Sequence, residues 1–243
     1  MATDGVRPTI RPRLEELVAD ALSLDYVSTS CKDAVATGNH YQSVNFGGRE
    51  TAGFRERRDE FLDQVVFTGK TVLDLGSNLG ELSRGARARG AFLVDGFEFD
   101  PFFIEVGSVL NTLAGTTRVS FFQRDITDPA AFDEPYDVVL AFSVWHYVRR
   151  LVRELGSITR DLLVVETHRL DDNLDHHYVA PLSEHLPAYR ILGYSRWKGA
   201  DGQGGRRAVV AFARDEAQLD ASLSSPTTGV SVDPGNEEQL ASG

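Results

Sequence analysis

Residues 72–82, VLDLGSNLGEL, constrain this chain more than any other stretch. A continuous apolar run feeds a glycine-containing turn, and the turn opens a helical segment. That order separates a ligand-cradling turn from a chance glycine match. Gly76 permits a sharp bend and lets a ligand approach the backbone. Gly80 lets the start of the helix lie against the sheet. Asn78 stands where a three-glycine fingerprint would carry its second glycine. Asparagine tolerates a left-handed backbone better than other side chains do, so the turn geometry is expected to survive.

The pattern around this turn predicts an α/β fold. Apolar runs at 71–75, 92–97, 118–123, 136–143, 161–168, 189–197 and 206–214 read as seven strands. These runs lack the polar alternation of a half-exposed sheet, as buried parallel strands do. Helical segments fall between them at 80–90, 101–115 and 145–158, with Pro101 at a first turn and Gly115 as a C-cap. The expectation is a doubly wound, mostly parallel, seven-stranded Rossmann-like sheet with helices on both faces. Upstream, 11–24 and 51–66 have the spacing of amphipathic helices, so an N-terminal helical cap is expected over 1–66. The main domain is placed at 67–214. An acidic tail at 215–243, without aromatic residues, is expected to stay disordered, chiefly from about Gln218.

The second strand ends in an acid, Glu98, 22 residues beyond Gly76. A carboxylate there is placed to accept hydrogen bonds from a ribose diol. Turn and acid together imply an adenosine-type cofactor at the switch point of the sheet. Ligands of open α/β sheets bind beyond the carboxyl ends of the strands. Chemistry is therefore expected from the loops that carry Ser143, Trp145, His146 and Tyr147, and Glu166, Thr167 and His168. His146 and His168 can accept a proton near neutral pH, and Glu166 can do the same or orient one of them. These three are the candidate catalytic residues. Trp145, Tyr147, Tyr178 and Trp197 could line an apolar pocket.

These residues resemble the class I S-adenosylmethionine-dependent methyltransferases over about residues 70–167. Asp74, Gly76, Ser77, Asn78 and Gly80 match the family's first motif. Glu98 matches its ribose-binding acid, with Phe99 beside it. Asp125, with Ile126 next to it, matches the acid that contacts the adenine amino group. Residues 136–148, which include Phe142 and Ser143, match the fourth-strand motif beside the methyl donor. The resemblance implies S-adenosyl-L-methionine as cofactor and all of these as its binding residues. A dinucleotide dehydrogenase would more often carry three glycines. Further upstream, 40–61 loosely resembles the same region of enzymes that modify the wobble uridine of transfer RNA. It also resembles that region in methyltransferases of bacterial small-molecule pathways. Tyr41, Gln42, Phe46, Arg55 and Arg58 are candidates to fold over the cofactor, Tyr41 and Arg55 foremost, and an arginine there could pair with the methionine carboxylate.

Composition narrows the partners. The net charge is −11, and the six acids from Asp215 onward, with no Lys or Arg among them, leave the body near −5. Neither value suits a surface that must neutralise a row of phosphates. A small-molecule acceptor, methylated on oxygen or nitrogen and of natural-product type, is therefore expected. A tRNA-modifying enzyme and a non-catalytic adenosyl-ligand binder are the alternatives. No apolar run approaches the ~20 residues of a membrane span. Cys31 is the only cysteine, which suits a reducing, cytoplasmic home. The stretch 168–178 holds Asp171, Asp172, His176 and His177, but its spacing follows no strict metal motif. No metal is expected there.

Overall fold

The computed structural model describes residues 13, 40–42, 44–46, 49–51, 53–56, 58–167, 174–198 and 204–224. Apart from Arg13, which is helical, the helix expected at 11–24 lies outside the described residues, as does 225–243.

Among the described residues, nine strands form one sheet. Its centre is β5 (Thr71–Leu75), flanked by β6 (Leu93–Glu98) and β7 (Val119–Gln123) on one side. On the other side lie β8 (Tyr136–Phe142) and β9 (Thr159–Glu166). These five pair in parallel. Then come β11 (Gly204–Ala213) and β10 (Ala188–Lys198), both antiparallel to their neighbours. This is the expected seven-stranded, mostly parallel sheet, and two short strands extend it. β4 (Gly53–Glu56) pairs with Arg196 and Trp197 of β10, and β1 (His40–Gln42) pairs with β4. A separate ribbon joins β2 (Val44–Phe46) to β3 (Arg49–Thr51).

The helix expected at 51–66 is not formed. Strands β3 and β4 and the 3₁₀ turn Asp59–Gln64 take its place. Its apolar spacing, Phe54 then Phe61, Leu62 and Val65, is real, but Phe61, Leu62 and Val65 pack into the core from a turn. The preceding residues find strand partners on β10 that lie about 140 residues away, and tertiary pairing overrides local propensity. The single helix expected at 145–158 is two, α3 (Trp145–Val148) and α4 (Val152–Ile158), with buried Leu151 between them. The tail begins with order: α6 (Glu216–Ser222) is capped by Asp215, which accepts from the Gln218 amide at 2.8 Å, and it buries Leu219. The intervening helices are α1 (Glu81–Ala88), α2 (Pro101–Ala114) and α5 (Ala180–Ser183). α2 starts as expected, with Asp100 accepting from the Phe102 amide at 2.9 Å.

Alternate residues along each central strand enter different cores. Val72, Val138, Leu140, Leu162 and Val164 meet Leu82 and Ala86 of α1 and Leu219 of α6. Leu73, Leu75, Val139, Leu163 and Val165 meet Trp145, Leu155 and Leu182 on the opposite face. A sheet covered on both faces needs apolar side chains at every position, which is why these strands read as unbroken runs.

Strand order reverses between β5 and β8, since the chain runs outward from β5 through β6 to β7 and then returns to β8. A crevice opens beyond the carboxyl ends at such a point. Val209 of β11 pairs with Glu166, the last residue of β9. The start of β11 and the end of β10 therefore project past the parallel strands on the crevice side. β4 and β1 attach to that projection.

Candidate functional site

The turn after β5 is built by backbone hydrogen bonds to β6. The Gly76 and Ser77 amides both donate to the Phe97 carbonyl, at 2.8 and 3.0 Å. Three residues of the turn are left-handed: Gly76 at φ 66°, Asn78 at φ 50° and Gly80 at φ 79°. A Cβ on Gly76 would lie 2.5 Å from Val144 Cγ1, and one on Gly80 would lie 2.2 Å from the Phe121 ring. Gly80 thus lets the turn lie against β7, as expected. At Gly76 the close neighbour is Val144, in the loop after β8.

Glu98 stands at the rim, half-buried. Its Oε2 accepts from the Asn78 amide at 2.8 Å. Its Oε1 accepts from the Phe99 and Asp100 amides at 2.9 and 3.0 Å. Burial raises its pKa, and these three N–H groups oppose that shift. The carboxylate is held rigidly, and Oε2 keeps room for a further donor. Phe99 is largely exposed beside it. Asp125 is exposed too, its Oδ1 accepting from the Thr127 amide and hydroxyl at 2.9 and 2.7 Å. Those hydrogen bonds lower its pKa. Ile126 is nearly buried and forms part of the wall beside Gly76. Phe142 is buried in the core under this end of the sheet.

Asp74, at the end of β5, is buried and accepts from the Ser83 hydroxyl at 2.6 Å. Burial pushes its pKa up to about 6, against the opposing Ser83 hydrogen bond and the nearby Arg58 guanidinium. A folded-state pKa raised from 3.8 to about 6 has a definite consequence for stability. Its contribution is fully present below the unfolded pKa and is lost as pH rises through the folded one. Asp74→Asn, which keeps an oxygen for Ser83, is therefore expected to stabilise the protein above pH ~7 by roughly 2–3 kcal/mol. It is expected to change little below pH ~4. Urea unfolding at the two pH values checks this.

The residues beyond β8 and β9 form a buried polar hub. Glu166 is 0% exposed and Arg58 is 2% exposed. Arg58 Nε donates to Glu166 Oε1 at 3.2 Å, and Arg58 Nη2 donates to both Glu166 Oε2 and Ser143 Oγ. The Ser143 hydroxyl donates to Glu166 Oε2 at 2.6 Å and accepts from Arg207 Nη1 at 2.8 Å. The Ser195 hydroxyl donates to Glu166 Oε1 at 2.6 Å. Arg207 Nη1 lies 3.7 Å from Glu166 Oε2. Ser143 itself is left-handed, at φ 61°. Such strain in a non-glycine residue is held by its surroundings and concentrates at functional sites. Among the sequence candidates, Glu166 is thus sealed between arginines and serines, and Arg58 is engaged with it.

His146 is exposed at the start of α3, its ring 3.9 Å from that of Tyr147, centre to centre. Desolvation, with Arg207 and then Arg149, lowers its pKa. Trp145 and Tyr178 are buried, with ring centres 5.0 Å apart, so they are core and not pocket lining. Tyr41 lies on β1 and Arg55 on β4, in the strands attached to the β10–β11 projection. His168, Asp171 and Asp172 lie outside the described residues. His176 and His177 are exposed on the turn Asp175–Val179. Sequence reasoning missed Ser195 and Arg207. Their partners in the hub are 29 and 64 residues away, so no local pattern marked them.

A family model described as a methyltransferase domain matches residues 49–196. No curated relative matches the chain. Among solved structures, the bifunctional kinase-methyltransferase WbdD aligns with a TM-score of 0.49 and 21% identity over 60% of this chain. The chain spans only 35% of the length of WbdD. PH1948 of Pyrococcus horikoshii, provisionally described as an RNA methyltransferase, aligns with a TM-score of 0.50 and 20% identity. That alignment covers 60% of this chain and 75% of PH1948. A protein of echinomycin biosynthesis, concerned with conversion of a disulfide bond into a thioacetal group, aligns at 0.48 and 16% identity. It covers 64% of this chain and 81% of its own.

Proposed function

The chain belongs to the methyltransferase-domain family and uses S-adenosyl-L-methionine, and from that premise we propose that it methylates an oxygen or nitrogen of a small metabolite, as in a bacterial natural-product pathway. The cofactor, when bound, supplies an electrophilic methyl group. The crevice residues fit it. Glu98, fixed by three amides, suits a ribose diol, and Ile126 and Val144 give an apolar wall beside the turn. Phe99 and Asp125 suit the adenine, and Arg55, on β4, is the arginine proposed for the amino-acid carboxylate.

His146 carries the reading of the acceptor. It is exposed at the mouth of β8 and shifted toward its neutral form, so it can accept the proton that a hydroxyl or ammonium loses. His168, two residues beyond Glu166 in the sequence, is the second candidate. Alignment of acceptor and methyl group supplies much of the rate through proximity. His146→Ala is therefore expected to lower kcat by about a hundredfold, the lower end of what a positioned base contributes. The acid limb of the wild-type kcat/KM profile is expected to have its midpoint below the ordinary 6.5. Arg149→Ala, which removes one of the repelling charges, is expected to move it upward. A limb above 6.5 assigns the proton to another group.

The excess negative charge favours a small acceptor over a polyphosphate. Transfer of labelled methyl from S-adenosylmethionine into pooled small-molecule extracts, with transfer RNA in parallel, tests this. Labelled transfer RNA, or retention of transfer RNA at physiological salt, contradicts the small-molecule reading.

A further inference from the structure

We infer that Glu166 is a positioning residue for the methyl-donor end of the crevice, acting through Ser143 and Arg58 and not as a proton acceptor. The inference rests on the adenosyl-cofactor reading given above.

One carboxylate gathers groups from five segments. Arg58 follows β4, Ser143 follows β8, Glu166 ends β9, Ser195 lies on β10 and Arg207 on β11. A buried ion pair is a poor source of net stability, because desolvation offsets the attraction. What such a cluster does well is fix geometry, since each hydrogen bond specifies a direction. The Ser143 hydroxyl has its orientation fixed by two guanidinium donors and one carboxylate acceptor. That fixed side chain accompanies the left-handed backbone at Ser143. The next residue, Val144, then fits against Gly76 with no room for a Cβ. Glu166 is thereby linked through Ser143 to the first turn of the crevice.

The hub also lies on a definite side. Glu98 ends β6, Phe99 follows it, and Asp125 and Ile126 follow β7, which places a nucleoside on that side of β5. Ser143 and Glu166 are at β8 and β9, on the other side. A ligand that spans the switch point from Glu98 brings its sulfur and amino-acid end toward the hub. The Arg58 charge also lowers the Asp74 pKa at the end of β5, in keeping with a hub on this side of the switch point. Both Glu166 oxygens are already accepting, and the group is fully buried, so it offers a substrate no free lone pair aimed outward.

Calorimetric titration with two probes separates the possibilities. S-adenosylhomocysteine has both ends, and 5′-methylthioadenosine lacks the amino-acid end. Glu166→Gln is expected to weaken S-adenosylhomocysteine binding by about tenfold or more, the scale of one charge-assisted hydrogen bond. Binding of 5′-methylthioadenosine is expected to stay near wild type. In turnover, KM for S-adenosylmethionine is expected to rise more than kcat falls, and the His146 limb of the pH profile is expected to persist. Ser143→Ala, which removes the hydroxyl and keeps the ion pair, is expected to act in the same direction. It serves as the test if Glu166→Gln does not fold. Equal loss of both probes overturns the inference in favour of general damage to the crevice. Unchanged S-adenosylhomocysteine binding with lost kcat overturns it in favour of direct proton transfer. Wild type that binds neither probe overturns both the adenosyl pocket and this role for Glu166.

Discussion

Glu98→Ala is expected to weaken S-adenosylhomocysteine binding by about a hundredfold or more, with the protein still folded. Two losses combine. The variant removes the acceptor left on Oε2 for a ribose hydroxyl, a charge-assisted hydrogen bond worth about 1.5–3 kcal/mol. It also frees the Asn78, Phe99 and Asp100 amides, which Glu98 now holds at 2.8–3.0 Å. Those amides fix the turn after β5 against the end of β6, so the pocket loses preorganisation as well as a contact. Glu98→Gln keeps one oxygen but turns an acceptor into a donor, so it is expected to fall between wild type and alanine. Calorimetry with the three proteins checks the order. An alanine variant that binds as tightly as wild type removes Glu98 from the site.

Gly80→Ala is expected to destabilise the fold by roughly 3 kcal/mol. At φ 79°, a side chain costs about 1–2 kcal/mol of backbone strain. The new Cβ would also lie 2.2 Å from Phe121 Cζ and 2.7 Å from Cε1, and overpacking of that kind costs about 1–3 kcal/mol. Phe121 cannot move aside easily, because Gly96 and Gly107 also lie against its ring. Gly115→Ala supplies the comparison. Gly115 is left-handed too, at φ 64°, but nothing lies within 4 Å of its missing Cβ. That variant is expected to lose only the strain of about 1–2 kcal/mol. Urea midpoints at constant slope read both. Equal losses at the two glycines would show that the Phe121 contact carries no cost.

What the sequence revealed was short-range. The left-handed backbone at Gly76, Asn78 and Gly80 follows from residue type, and so do the Asp100 cap and the Gly115 terminus of α2. The central strands β5, β8 and β9 were legible because burial on both faces leaves a nearly unbroken apolar signature. Glu98 was legible because a strand of known length fixes where its carboxyl end falls. The failures were long-range. Residues 53–56 carry helix-compatible spacing, yet they become a strand because β10 offers partners far along the chain. Hydrogen bonds in the Glu166 hub join residues up to 108 positions apart, and Glu166 alone reads as an available carboxylate. Only the fold reveals that Arg58, Ser143 and Ser195 already occupy it. The break between α3 and α4 is a matter of seating Leu151 in the core, which periodicity cannot resolve.

The central claim is that the crevice beyond β5 and β8 holds the adenosyl cofactor. A crystal structure with S-adenosylhomocysteine tests it most directly. Ribose hydroxyls are expected on Glu98, adenine beside Phe99 and Ile126, and the amino-acid end over the Ser143 side of the switch point. A ligand bound away from this crevice, or one whose ribose avoids Glu98, would contradict it.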